Sequence, residues 1–199
     1  MGVSKLKAAE NRQAILSTAE RLFRERGVDG VGLAELMKEA GFTQGGFYNH
    51  FKSKEALAAE VVANAMAGGR QELADALAKP LGEESAVARQ INYYLSEGHR
   101  DNVACGCSVG GLAGDVSRLG DDAQVPFAQG LRNSFALLDE AVSASAPSGD
   151  LTVRERTIGL YAEMIGGLVL ARAVAEADPV LSSEILASTR RELLARFGR

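Results

Sequence analysis

Residues 41–57 read GFTQGGFYNHFKSKEAL. Two adjacent glycines, four rings besides His50 and two lysines crowd together here and then run straight into an alanine-rich segment, a mixture that an ordinary solvent-facing helix has no use for. The flanks explain it. Upstream, NRQAILSTAERLFRER (11–26) sets Ile15, Ala19, Leu22 and Phe23 on one face and Arg12, Glu20, Arg24 and Glu25 on the other, and Gly27 follows where a helix C′ residue belongs. Leu33, Leu36, Met37 and Ala40 mark a second, shorter helix between Gly32 and Gly41. Thr43 then stands as the cap of a third helix over 44–51, with Phe47 and Phe51 four apart on one face. Ser53 caps a fourth, and Glu55 falls in its favourable first turn.

Three short helices, the second and third joined by the turn Gly41-Phe42-Thr43, make a helix-turn-helix unit. Its second helix is the one that enters a major groove, and small residues such as Gly45 and Gly46 suit a backbone that must approach a sugar-phosphate wall. A two-turn helix is unstable alone, so Phe47 and Phe51 are its anchors to the helices beneath. Tyr48, one position round, points away from that anchor with a hydroxyl suited to a phosphate oxygen, and His50 and Lys54 add donors beside it. Gln44 and Asn49 carry amides that match adenine, although amides also cap and solvate.

These residues carry a resemblance. GFTQGGFYNHFKSKEAL, preceded by RQAILSTAERLFRERGVDGVGLAELMKEA, resembles the tetracycline-repressor (TetR) family of bacterial transcription regulators across residues 10–60. The resemblance implies an all-α homodimer with a small N-terminal DNA-binding domain and a larger C-terminal domain that binds an inducer and dimerises. It implies that Thr43, Gln44, Gly45, Tyr48, Asn49 and His50 face the DNA and that Lys54 meets a backbone phosphate, with Ser17 and Thr18 as weaker phosphate contacts. One departure is Gly32, where many members have a threonine.

Beyond the head the chain is ordinary globular material: 199 residues, 46% hydrophobic and 24% charged, so it can bury a sizeable core and is not compositionally disordered. The net charge is −4, carried by residues 61–199, whereas residues 1–60 hold a slight excess of base, which is compatible with local phosphate binding. No apolar leader opens the chain and no run of about 18 apolar residues occurs, so a cytoplasmic protein without a membrane span is expected. Two cysteines two residues apart do not make a secreted disulfide framework. Strand signals are nearly absent. Helices are expected near 54–79, 85–100, 104–118, 122–145, 152–177 and 180–197, separated at 82–84, around DNVACG, at SRLGDD and at SAPSGD. The fold expected is therefore all-α with nine to ten helices, a DNA-binding domain over 1–53 and a ligand-binding and dimerisation domain over 54–199.

In the body, Val125, Ala128, Leu131, Phe135, Leu138 and Val142 repeat like a coiled-coil seam, as do Tyr161, Met164/Ile165, Leu168, Ala171/Arg172 and Ala175. Helices 122–145 and 152–177 are accordingly the expected dimer contact, the alternative being that both seams are buried within one subunit. Tyr93, Tyr94, His99, Cys107, Phe127, Phe135, Met164 and Leu168 are candidate linings of an inducer pocket, and core packing would use them equally well. The segment 93–119 resembles that of a Cys-containing subgroup of electrophile-sensing repressors, which implies a sensing role for Cys107. A thiol near a helix N-terminus, with His99 and Arg100 in reach, favours the reactive thiolate. Against this stands the commonest fate of a free cysteine, a small buried hydrophobe. The subgroup also has a lysine where this chain has Arg172, and arginine does not share its chemistry. Cys105 and Cys107 supply too few ligands for a metal, no cofactor is implied, and no catalytic motif of the G-x-S-x-G, H-E-x-x-H or phosphate-loop kind is present, so an enzyme is not expected. Asp115, Asp121 and Asp122 read as solubilising helix-end charges. The function expected is a regulator, most simply a repressor released from a palindromic double-stranded operator by a small-molecule inducer, with a thiol switch at Cys107 as the alternative.

Overall fold

A computed structural model describes residues 5–79, 84–145 and 150–198. Among the described residues the chain is all helical: α1 (Lys5–Arg26), α2 (Leu33–Glu39), a 3-10 helix (Gln44–Asn49), α3 (Lys54–Ala78), α4 (Ala86–Tyr94), α5 (Glu97–Asp101), α6 (Ser108–Val116), α7 (Asp121–Ala144), α8 (Val153–Val174) and α9 (Pro179–Phe197). The breaks expected at 82–84 and over SAPSGD fall almost wholly on residues outside those described, as do Pro80 and Pro147.

The helices form two compact units that do not follow the order of the chain. One holds the residues up to Ala67 together with Cys107–Gln129, and the other holds Gly68–Gly106 with Gly130 onward. The motif boundary at 53/54 coincides with the start of α3, whereas the first unit continues to Ala67, just before the Gly68-Gly69 pair, and α3 itself runs through that pair unbroken.

In the first unit α1 buries Ile15, Leu16, Ala19, Leu22 and Phe23, the stripe that its spacing dictates. Gly27 ends it at φ +72° and Gly41 ends α2 at φ +85°, both in the left-handed region where a glycine costs least. Beyond α2 the Phe42 amide bonds the Met37 carbonyl at 2.8 Å, closing the turn that aims the next segment. That segment is 3-10 rather than the α-helix expected over 44–51. The Gly46 amide reaches Thr43 O at 3.0 Å and His50 reaches Phe47 O at 2.9 Å, i→i+3 bonds suited to a run too short and too glycine-rich to hold an α-helix. The Thr43 side chain makes no cap hydrogen bond, contrary to expectation, and neither does Gly32 cap α2. Ser53 does cap α3, accepting the Ala56 amide at 3.1 Å.

In the second unit the helix expected over 85–100 divides at Leu95-Ser96. Ser96 accepts the His99 amide and so starts α5 afresh. A capping box between Thr152 and Glu155 opens α8. This helix packs on α9 closely enough that a Cβ at Gly167 would lie 3.0 Å from Thr189. Asp178 and Pro179 start α9. The two expected seams fare differently. Along α7 the stripe splits, with Val125 and Ala128 exposed but Leu138 and Val142 buried against their own unit. On α8 the predicted residues Met164, Leu168 and Ala171 are buried within the subunit. The exposed apolar stripe is the other face, Ile158, Val169 and Leu170, with Val180 and Leu181 exposed at the start of α9. A helix apolar on both sides offers the periodicity two answers, and the residues expected along this seam are those buried within the subunit, the alternative left open for them.

Candidate nucleic-acid interface

The 3-10 helix has an inner and an outer side. Phe47 is fully buried and Phe51 nearly so, and their rings stack at 5.6 Å. Arg12 of α1 covers Phe51, its guanidinium 4.5 Å from the ring centroid. The same guanidinium pairs with Glu60 of α3, which raises its affinity for its proton against the opposing effect of burial. The segment is thus pinned from below by apolar contact and by an ion pair joining α1 to α3.

The outer side is open. Tyr48 stands edge-on to Phe47 at 5.3 Å and is 68% exposed. Thr43, Gln44, Gly45 and Asn49 are exposed alongside it, and His50 and Lys54 are half-buried at the edge. Of the seven residues singled out for DNA contact, five are therefore exposed and two half-buried, all within 43–54 of the first unit. Ser17 is exposed on α1 and holds the Gln13 amide, with Thr18 half-buried next to it. Lys54 also lines a small polar pocket with Val28, Asp29, Glu55, Asp115, Arg118 and Leu119. Glu55 sits below the usual carboxylate range because its own amide at the α3 N-terminus and the Ser53 hydroxyl bond its ionised form, helped by Lys54. Arg21 and Arg26 are engaged by Glu25, Glu39 and Glu35, so α1's last turns present paired charge.

The candidate pocket residues divide between the units. Cys107 and Phe127 belong to the first; Tyr93, Tyr94, His99, Phe135, Met164 and Leu168 belong to the second. Cys107 is half-buried and caps α6, its Sγ 3.5 Å from the Gly110 amide. His99 is buried, stacked on exposed Tyr93 at 5.3 Å and edge-on to Tyr94 at 4.6 Å. Its Nδ1 lies 2.7 Å from the Tyr94 carbonyl. Burial pushes its pKa down, against the pull of that carbonyl, and Arg172 pushes the same way. Arg172 donates to the His99 and Arg100 carbonyls at 2.7 and 2.9 Å, closing the C-terminal end of α5. Phe135 meets Tyr161 edge-on at 5.2 Å, and Met164 and Leu168 are core residues.

What the sequence reading missed is Asp115. Far from a solubilising charge, it is only 8% exposed, and it accepts the Val28 amide and pairs with Arg118. Its one sequence signal is a lone acid near the end of an otherwise apolar, glycine-rich helix, which is too weak to single it out.

An exposed, ring-anchored second helix of a helix-turn-helix, set on an all-α body, defines a DNA-binding regulator. Residues 15–61 match the family described as bacterial regulatory proteins, tetR family, so the chain carries an N-terminal domain of that family. Over most of its length it is similar to the transcriptional repressor NemR of Escherichia coli K12, 29% identical over 178 residues that cover 86% of this chain and 88% of NemR. It is also similar to the regulator LmrA of Bacillus subtilis, 27% identical across 86% of this chain and 92% of the other. The crystal structure of reduced E. coli NemR superimposes with a TM-score of 0.76 over 95% of this chain and 97% of that one, at 27% identity.

Proposed function

We propose that the chain is a homodimeric repressor whose paired 3-10 segments read a two-fold operator and whose helical body takes a small molecule that releases it. The observation that carries this reading is the two-sidedness of Gln44–Asn49: Phe47 sealed beneath, Tyr48 presented above. Nothing in ordinary packing rewards leaving that tyrosine in water beside exposed glutamine and asparagine, whereas a phosphate and a base edge would use all three. The exposed apolar residues Ile158, Val169 and Leu170 on α8, with Val180 and Leu181 exposed at the start of α9, support a two-fold contact with a second copy, since apolar surface of this kind is otherwise left hydrated. It also accounts for the apolar character of α8, whose length and composition alone would suit a membrane.

Fluorescence anisotropy with duplex DNA from upstream of the protein's own gene tests the reading. Binding should weaken steeply with salt, and Tyr48→Ala should lower affinity at least about tenfold with the fold unchanged. A pure dimer that binds no such duplex at low salt would reject it.

A second reading, a thiol switch, is favoured by Cys107 serving as the cap of α6. Addition of its thiol across the double bond of a maleimide forms an S–C bond, places the thiol proton on the neighbouring carbon and removes the cap. Wild-type protein should then lose DNA affinity on treatment and Cys107→Ser should not; an equal response in both rules the thiol out. Arg172, committed to two backbone carbonyls, is a structural clamp in either reading.

A further inference from the structure

The nine residues of α6 lie apart from the head in sequence yet belong to the same compact unit, and two buried polar side chains tie them to it, one at each end. At the first turn the Ser108 hydroxyl donates to the Ala65 carbonyl of α3 at 3.0 Å and accepts from Arg24 of α1 at 2.9 Å. At the last turn one carboxylate oxygen of Asp115 accepts the Val28 amide at 3.0 Å, and the other is held by Arg118, which also reaches Asp29 at 3.8 Å. Between these ends Gly111 lets the helix approach α1: a Cβ there would come within 3.3 Å of Arg24 Cγ. Gly27 has the same meaning on the facing side, its missing Cβ 3.3 Å from the Asp115 carboxylate.

We propose that Ser108 and Asp115 are positioning residues for DNA recognition: together they fix the end of α1 and the loop to α2 on the rod of α6, and so set the orientation in which the 44–49 segment is offered to the operator. Burying a serine hydroxyl and a carboxylate is costly unless each is fully bonded, and here each has a partner in a different part of the head, Asp115 having a second, local one in Arg118. Apolar residues would hold α6 in place as well; what they would not do is specify its register along α1. Because both ties sit on one short rigid helix, displacement of α6 moves Arg24 and the Val28 amide together.

This inference rests on the DNA-binding reading, and its test separates the two. An operator is first selected from random duplexes on the wild-type protein, and specific and non-specific affinities are measured for wild type, Asp115→Asn, Asp115→Leu and Ser108→Ala, each corrected for active fraction. In parallel, hydrogen exchange is followed across residues 26–32. Asp115→Leu should lower operator affinity about tenfold or more while leaving non-specific affinity within about threefold, because phosphate contacts survive and register does not. It should also speed exchange at Val28 about tenfold, since that amide loses its acceptor. Asp115→Asn, which keeps an acceptor for the amide, should stay near wild type in both. Ser108→Ala, the milder change should the leucine variant not fold, should shift the same ratio of specific to non-specific affinity in the same direction. Specific and non-specific affinities falling together, or an unchanged ratio with unchanged exchange, overturns the proposal. Wild type that selects no duplex rejects the functional reading, and the exchange at Val28 still decides whether Asp115 holds the loop.

Discussion

The 44–49 segment and α6 are both short, both rich in glycine and both part of the same compact unit, yet they are held in opposite ways. The first is pinned by rings: Phe47 and Phe51 go into the core and the polar side chains Gln44, Tyr48 and Asn49 are left facing water. The second is pinned by hydrogen bonds from Ser108 and Asp115 at its two ends, in addition to the burial of Val109, Leu112 and Val116. The difference fits the role proposed for each. A surface offered to DNA keeps its polar groups for the ligand, so what holds it lies beneath: the buried rings and the Arg12–Glu60 pair that covers Phe51. A helix that sets the register of its neighbour benefits from bonds that have direction and a single partner.

The sharpest way to break this comparison is to remove the ring. Phe47 is fully buried and stacked on Phe51, and Phe47→Ala should cost about 3–5 kcal/mol, the range for deleting a buried phenylalanine. Chemical denaturation followed by circular dichroism measures it. Tyr48→Ala, one residue away, should fall within about 0.5 kcal/mol of wild type, as exposed positions do. A loss under about 1 kcal/mol for Phe47→Ala would mean that the segment is not ring-anchored.

A smaller effect is expected at Gly27, where α6 presses on the end of α1. Gly27→Ala places a Cβ on a backbone at φ +72°, a strain of about 1–2 kcal/mol, and pushes it against the Asp115 carboxylate 3.3 Å away. Asparagine tolerates that backbone far better but brings the same Cβ. If the carboxylate matters, Gly27→Asn should recover less than half of the loss in a paired denaturation experiment; complete recovery would show that backbone strain alone is at work there.

The two anchoring modes also explain what the sequence disclosed. Ring anchoring is periodic and local: Phe47 and Phe51 are four apart, Leu22 and Phe23 lie one turn beyond Ala19, and Gly27 and Gly41 close their helices, so the head could be read residue by residue. Hydrogen-bond anchoring is pairwise and distant. Ser108 meets Ala65 and Asp115 meets Val28 across most of a domain's length of chain, which leaves no pattern in either segment and made Asp115 look like a surface charge. The body failed for a third reason. Helix α8 is apolar on both faces, so spacing alone could not tell the buried side, with Met164 and Leu168, from the exposed side bearing Ile158 and Val169. The division of 85–100 at Ser96 turned on a single side chain capping the His99 amide, a choice that periodicity does not register.

The smallest effect adds a polar anchor where the head has none. Gly32 occupies the N-cap position of α2 at φ −73°, ψ 142°, a conformation open to any residue, and a Cβ built there meets nothing within 4 Å. Glu35 stands at the third helical position, so a threonine or serine at 32 would restore the spacing of a capping box, the arrangement that Thr152 and Glu155 already form at the start of α8. A glycine cap is only a few tenths of a kcal/mol worse than a serine, and removing glycine's freedom from the unfolded chain adds to the gain, so Gly32→Ser should stabilise by about 0.5–1 kcal/mol. For a chain of this size that is a rise of about 1–4 °C in Tm. Gly32→Ala separates the causes, because alanine shares the entropic gain but is a poor cap. Alanine stabilising as much as serine would show that the side-chain bond contributes nothing and that the gain comes from the unfolded chain alone.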